Sequence, residues 1–173
     1  VDGFKRDLNE WYQQNKRELP WRSHSQSYNV WISEIILQQT RVNQGLEYYH
    51  RFLSAFPNVQ VLASAKEDHV LKLWEGLGYY SRARNLHAGA KQISESGKFA
   101  SNYDEWLKIK GVGPYTAAAI SSIVLGQAKA VVDGNVMRVI SRLVRIDEAV
   151  NSTAGKKKVE YWADELLNTN EPG

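Results

Sequence analysis

Residues 105–142 read EWLKIKGVGPYTAAAISSIVLGQAKAVVDGNVMRVISR, and the order of elements in that stretch decides the fold. A short helix leads into a Gly-Val-Gly hairpin, a second apolar helix follows, a loop carries a single aspartate, and another helix begins. Gly111 and Gly113 permit a tight turn whose backbone N–H groups point outward, and Pro114 suits the first turn of the next helix. Lys110, Gly111, Val112 and Gly113 then form a candidate phosphate cradle, because free N–H groups at a helix start attract an anion. Lys108 and Lys110 add positive charge beside it. Taken alone, a Gly-x-Gly before a helix is equally well an ordinary turn between helices. The segment Val131-Val132-Asp133-Gly134-Asn135-Val136 shifts that balance. An acid between an apolar pair and a glycine sits at a loop-to-helix junction, where it caps the helix or faces a ligand.

Outward from this stretch, helical periodicity accounts for the rest of the chain. Phe4, Leu8, Trp11 and Tyr12 recur at helical spacing, so the first segment is an amphipathic helix ending before Leu19 and Pro20. Residues 19–27 read as a polar connection. In 29–39 the apolar residues Val30, Trp31, Ile32, Ile35, Ile36 and Leu37 surround a helix, which is therefore expected to be buried. Further helices are predicted over 43–55, 59–65, 67–74, 80–94 and 154–167, with Pro57, Gly76, Gly78 and Gly97 as breaks. No pair of alternating strands stands out, and the predicted fold class is all-α.

The chain has 173 residues, 43% of them hydrophobic, enough for one sizeable core or two small lobes. Its net charge of +3 is too mild to argue for nucleic acid alone. Placement says more, because Arg82, Arg84, Lys108, Lys110, Arg138, Arg142 and Arg145 gather around the glycine turns and the aspartate loop. Cysteine is absent, which excludes disulfides and thiolate metal sites built from this chain. There is no apolar run of membrane-spanning length and no signal-peptide core in VDGFKRDLNEWY, so an intracellular protein without a membrane partner is expected.

Two carboxylates stand out. Glu34 lies among Val30, Trp31 and Leu37, as a buried carboxylate or one opening into a cleft. Burial there disfavours the ionised form, as a general acid requires. Asp133, at a helix start and near Arg138, is expected to stay ionised. The plain alternatives are a capped or solvent-facing Glu34 and an Asp133 that only caps its helix.

LKIKGVGPYTAAAI and VVDGNVMRV resemble the helix-hairpin-helix and aspartate signature of the DNA glycosylase superfamily that includes endonuclease III. LPWR at 19–22, VWISEIILQQT at 30–40 and GLGYYSRARNL at 76–86 resemble its adenine DNA glycosylase (MutY) branch, in the same order along nearly the whole chain. The resemblance implies a six-helix barrel lobe over 22–125 carrying the hairpin. A second helical lobe would join 1–21 to 126–173, with the active site between the lobes. It implies base-excision repair, as a single copy acting on double-stranded DNA with an adenine mismatch, in the cytoplasm or nucleoid if the source is bacterial. It also implies a 4Fe-4S cluster on four cysteines and an 8-oxoguanine-reading domain. Neither lies within these residues, so the chain is expected to be a piece of the catalytic region.

By the same resemblance Glu34 donates a proton to adenine and then activates water, Asp133 stabilises the sugar cation, and Asn135 supports Asp133. Trp21 and Arg22 line the base pocket, although Trp21 and Tyr79 could each be an ordinary core aromatic. Gln39 and Tyr79 match the wedge that fills the gap left by the extruded base. Tyr115 stands where relatives that also cut the strand carry a Schiff-base lysine, so a monofunctional glycosylase is implied. The chain departs from the family at Lys110, where proline is usual, and at Met137, where some members have lysine. Competing readings are a glycosylase for oxidised pyrimidines or thymine in G·T mismatches, and a helix-hairpin-helix DNA-binding module without catalysis. The SEIILQQT segment argues against the first, and the Glu34 and Asp133 pair argues against the second.

Overall fold

The computed structural model describes residues 2–23 and 26–173, and every regular element in them is a helix. In chain order these are α1 (Asp2–Asn15), α2 (Pro20–Ser23), α3 (Ser27–Leu37), α4 (Val42–Ala55), α5 (Val59–Ser64) and α6 (Glu67–Leu73). They continue as α7 (Ser81–Ser96), α8 (Tyr103–Trp106), α9 (Pro114–Ile123), α10 (Gly134–Leu143) and α11 (Thr153–Leu166). Local chemistry sets many of the boundaries. Asn58, Asn102, Asp133 and Ser152 each accept a backbone N–H in the first turn of the helix they precede. Gly97 ends α7 in the left-handed region, at φ 72°. Pro114 opens α9, where a missing N–H costs nothing.

Two apolar cores hold these helices. The larger is centred on Trp31, Trp74, Trp106, Phe52 and Phe56, all essentially inaccessible, and is built from α2 to α9. Each such side chain stabilises the fold by roughly 1.5–3 kcal/mol through burial. α3 runs through this core, and the Tyr28 hydroxyl at its start donates to the Phe56 carbonyl at 2.7 Å. The smaller core joins Ile140 of α10 to Val159 and Ala163 of α11. Phe4 and Leu8 of α1 border an apolar groove with Val136, Val139 and Ile140, and Asn9 is hydrogen-bonded to Glu171. The two ends of the chain therefore meet.

Besides shifts of one or two residues at other helix ends, three differences from the sequence reading have a structural cause. The expected polar connection at 19–27 contains a helical turn, α2, because burying Trp21 against Tyr49 folds the chain back onto the core. His24 and Ser25 of that connection lie outside the described residues. α3 stops at Leu37 rather than at 39, since Gln39 has φ 61° and cannot continue a right-handed helix. α7 runs on to Ser96, ended by the Gly97 cap rather than by loss of apolar periodicity.

Candidate active site

Glu34 projects from the middle of α3, a helix whose Val30, Trp31, Ile32, Ile35 and Ile36 are all buried. The side chain itself is only partly covered. That setting holds its carboxyl above the usual carboxylate range, chiefly by desolvation and against the opposing pull of the Arg22 guanidinium. A carboxyl so placed keeps its proton at higher pH than a solvated one.

Asp133 caps α10. Its Oδ1 accepts the backbone N–H of Val136 at 2.8 Å, and its Oδ2 accepts the side-chain amide of Asn135 at 3.0 Å. Asn135 is oriented in turn by Arg138, which donates to its Oδ1 at 2.7 Å. The plain reading of Asp133 as an N-cap is therefore correct as far as it goes. Capping uses one oxygen, and the carboxylate remains partly exposed.

Tyr115 connects the two acids. It lies in the first turn of α9, directly after the hairpin, and is 41% exposed. Its phenol is pushed up to about 12, first by burial and then by the charges of Glu34 and Asp133, with Arg22 acting the other way. Side chains far apart in sequence thus share one electrostatic neighbourhood, brought together by the packing of α9 against α3. That packing is tied by Gln38, whose amide donates to the Thr116 hydroxyl at 3.3 Å. A cavity of about 290 Å³ next to Tyr115 is lined by Pro114, Ala118, Val132, Lys129 and Glu160 among others. Neither Glu34 nor Asp133 lines it, so it adjoins the acid pair without being the pair's own pocket.

The hairpin divides its N–H groups. That of Lys110 donates to the Gln92 side chain at 2.7 Å and that of Val112 to the Ile109 carbonyl at 3.1 Å. Val112 is itself in the core. The N–H groups of Gly111 and Gly113 donate to no protein acceptor among the described residues, and the exposed start of α9 follows them. The two glycines are not equivalent. Gly111 has φ 80°, and a Cβ there would stand 2.7 Å from the Asn85 Cβ, whereas Gly113 is extended and a Cβ would meet nothing within 4 Å. Of the two α7 residues that seat the turn, Asn85 falls within the GLGYYSRARNL segment without being singled out by it, and Gln92 carries no sequence pattern that marks it.

Gln39 and Tyr79 stand at the tips of two loops, both exposed and both left-handed, at φ 61° and 47°. Trp21 is only 3% exposed and packs edge-on against Tyr49 with ring centroids 5.0 Å apart, which makes it a core aromatic. Arg22 beside it is exposed and acts electrostatically on both Glu34 and Tyr115. Arg82 does not join the basic surface expected around the glycine turns. Its guanidinium faces inward, to the carbonyls of Ile35, Gln38, Leu77 and Gly78. Arg84 is paired with Glu67 at 3.4 Å.

Residues 32–168 match the family described as HhH-GPD superfamily base excision DNA repair protein. Adenine DNA glycosylase of Mus musculus is 42% identical over 184 residues, an alignment covering all of this chain and 36% of the mouse protein. Adenine DNA glycosylase of Buchnera aphidicola subsp. Schizaphis graminum is 40% identical over 173 residues, covering 98% of this chain and 50% of that protein. The chain spans about a third of the length of the mouse and human relatives. Among solved structures, a thermostable thymine-DNA glycosylase superposes with a TM-score of 0.86 at 24% identity, covering 97% of this chain and 78% of that one. A trapped endonuclease III-DNA covalent intermediate superposes with a TM-score of 0.80 at 19% identity, covering 99% and 78%. At those identities the two structures establish the shared helical fold.

Proposed function

Because the chain belongs to the HhH-GPD superfamily of base excision DNA repair proteins, we propose that it is the catalytic region of a monofunctional adenine DNA glycosylase. Its substrate would be adenine mispaired with 8-oxoguanine or guanine in double-stranded DNA. The observation that carries this reading is that Glu34, on the buried helix α3, and Asp133, at the start of α10, both act electrostatically on Tyr115.

Base release needs one neutral and one charged carboxyl, as glycoside hydrolysis does. The Glu34 carboxyl, whose protonated form desolvation favours, gives its proton to the adenine ring as the bond from nitrogen to C1′ breaks. The leaving base takes the bonding pair. The sugar becomes oxocarbenium-like and is stabilised by the Asp133 carboxylate, whose orientation Asn135 and Val136 hold. The Glu34 carboxylate then takes a proton from the water that adds to C1′, which restores the acid and leaves an abasic site. Tyr115 offers no amine and, with its phenol pushed up to about 12, no nucleophile at neutral pH. It serves as a neutral neighbour of both acids.

The remaining assignments follow the same reading. Gly111 and Gly113 N–H groups bind a DNA phosphate at the start of α9, with Lys110 and the buried Val112 shaping the turn. Gln39 and Tyr79 form the wedge, and Arg22 faces the extruded base, with the buried Trp21 backing the pocket from the core. A barrel lobe over 22–125 and a second lobe made of 1–21 and 126–173 accord with the two apolar cores except at Leu19 and Trp21, which pack in the larger one. An iron-sulfur cluster does not fit the residues present. The chain has no cysteine, and the described residues hold no group of three or more His, Cys, Asp or Glu placed to bind a metal ion. No step is assigned to such a cluster. Among the described residues no helix is long and apolar enough to cross a membrane.

The deciding experiment is base release, followed by alkaline strand scission, from duplexes holding A·8-oxoguanine, A·G and G·T pairs. Release of adenine alone supports the proposal. Release of thymine from G·T, or binding without release from any duplex, overturns it.

A further inference from the structure

Gln39 and Tyr79 lie on separate loops, after α3 and before α7. One residue reaches both loops. Arg82, in the first turn of α7, donates through Nη1 to the carbonyls of Ile35, at 3.1 Å, and Gln38. Through Nη2 it donates to the carbonyls of Leu77, at 3.2 Å, and Gly78, at 3.4 Å. Gln38 immediately precedes Gln39, and Gly78 immediately precedes Tyr79. The guanidinium also lies 5.7 Å from the Tyr79 ring and 5.4 Å from that of Trp74, whose indole N–H donates to the Gly78 carbonyl at 3.1 Å.

These carbonyls are those that a helix end and a turn leave without backbone donors. A planar group with five N–H donors can serve two loops at once, whereas an ammonium can serve one well. The cost is visible in Nε of Arg82, which is buried without a partner. Both loop tips are non-glycine residues in left-handed conformation, a state that persists only where neighbouring contacts over-determine it.

We infer that Arg82 is the positioning residue that binds the two loops into a single two-pronged wedge, so that Gln39 and Tyr79 enter the base stack together. This rests on the wedge reading given above. Without the tie, either tip can relax alone, and the base can return to the stack past the other. Extrusion therefore fails while the acids remain in place.

Arg82→Gln and Arg82→Lys test this with 2-aminopurine next to the target adenine, whose fluorescence reports unstacking. A parallel assay measures single-turnover release of adenine from a paired site and from an unpaired single-base bulge. The expected result for Arg82→Gln is unstacking and paired-site release slowed together by at least about tenfold, with release from the bulge much less affected. Arg82→Lys, which keeps the charge and the apolar stem, should fall between, and it carries the same comparison if the glutamine variant does not melt cooperatively. Equal losses on paired and bulged adenine, or unaltered unstacking in both variants, overturn the inference. If the unsubstituted protein neither unstacks nor releases adenine, the proposed activity itself fails and removes this premise. If it does both and the variants match it, the tie alone is wrong.

Discussion

The side-chain amide of Asn135 donates to Oδ2 of Asp133 at 3.0 Å, while the other carboxylate oxygen is held by the Val136 N–H at 2.8 Å. One acid thus performs two tasks that substitution can separate. Asn is as good a helix cap as Asp but carries no charge. Asp133→Asn is expected to melt within a degree or two of the parent while base release falls by at least about 10²-fold, if the charge supplies electrostatic stabilisation of the usual size. Asp133→Ala should lose the rate equally and also about 1 kcal/mol of stability with the cap. Thermal melts beside single-turnover assays check both. An Asp133→Asn protein with near-normal rate would reduce the residue to a cap.

Glu34→Gln should abolish proton donation while keeping the shape, and base release should fall by about 10²–10⁴ with duplex binding retained. Retention of more than about a tenth of the rate would remove the acid role. In the parent, release should slow as pH rises through the raised pKa of Glu34, because only the protonated acid is competent.

Stability should respond to the same group with a definite sign. The folded-state pKa of Glu34 lies above its unfolded value, so folding favours the protonated form and stability is lost as pH rises through the folded pKa. Glu34→Gln is therefore expected to melt higher than the parent at neutral pH, with the gap closing below about pH 4, where both states are protonated. A gap that widens on acidification would contradict desolvation as the cause.

The two hairpin glycines should behave differently. Gly111→Ala forces an alanine to φ 80° and against the Asn85 Cβ at 2.7 Å. The backbone conformation alone costs roughly 1–2 kcal/mol. Gly113→Ala meets no atom within 4 Å and should leave the melt nearly unchanged. Its added methyl group would crowd the phosphate, so binding should weaken alike on lesion and plain duplexes, since a phosphate contact carries no sequence information. Weakening confined to the lesion duplex would show that the turn does not bind phosphate.

For Tyr115, borohydride should trap no covalent adduct with DNA, and strand breaks should appear only after alkali. Tyr115→Lys puts an amine within the electrostatic reach of Glu34 and Asp133 and should create some trapping. Efficient trapping by the unsubstituted protein would instead require an amine near the sugar and would overturn the monofunctional assignment.

Each helix long enough to show a periodic apolar face could be read from residue order, because that periodicity and most caps are set within a turn or two of the chain. The aspartate loop, the proline opening α9 and the absence of an amine at 115 are equally local, and the sequence contains them outright. The larger departures arise where distant segments meet. The helical turn around Trp21 exists because Tyr49, on another helix, offers a face to bury it. Asn85 on α7 decides that Gly111 admits no Cβ, whereas the equally conspicuous Gly113 stands in open space. Arg82 reads as one more surface cation in a basic run, but the carbonyls left over at the end of α3 and in the loop before α7 turn it inward. Burial, close approach and shared charge depend on which helix faces pack together, and a linear pattern of residues specifies the faces without specifying their partners.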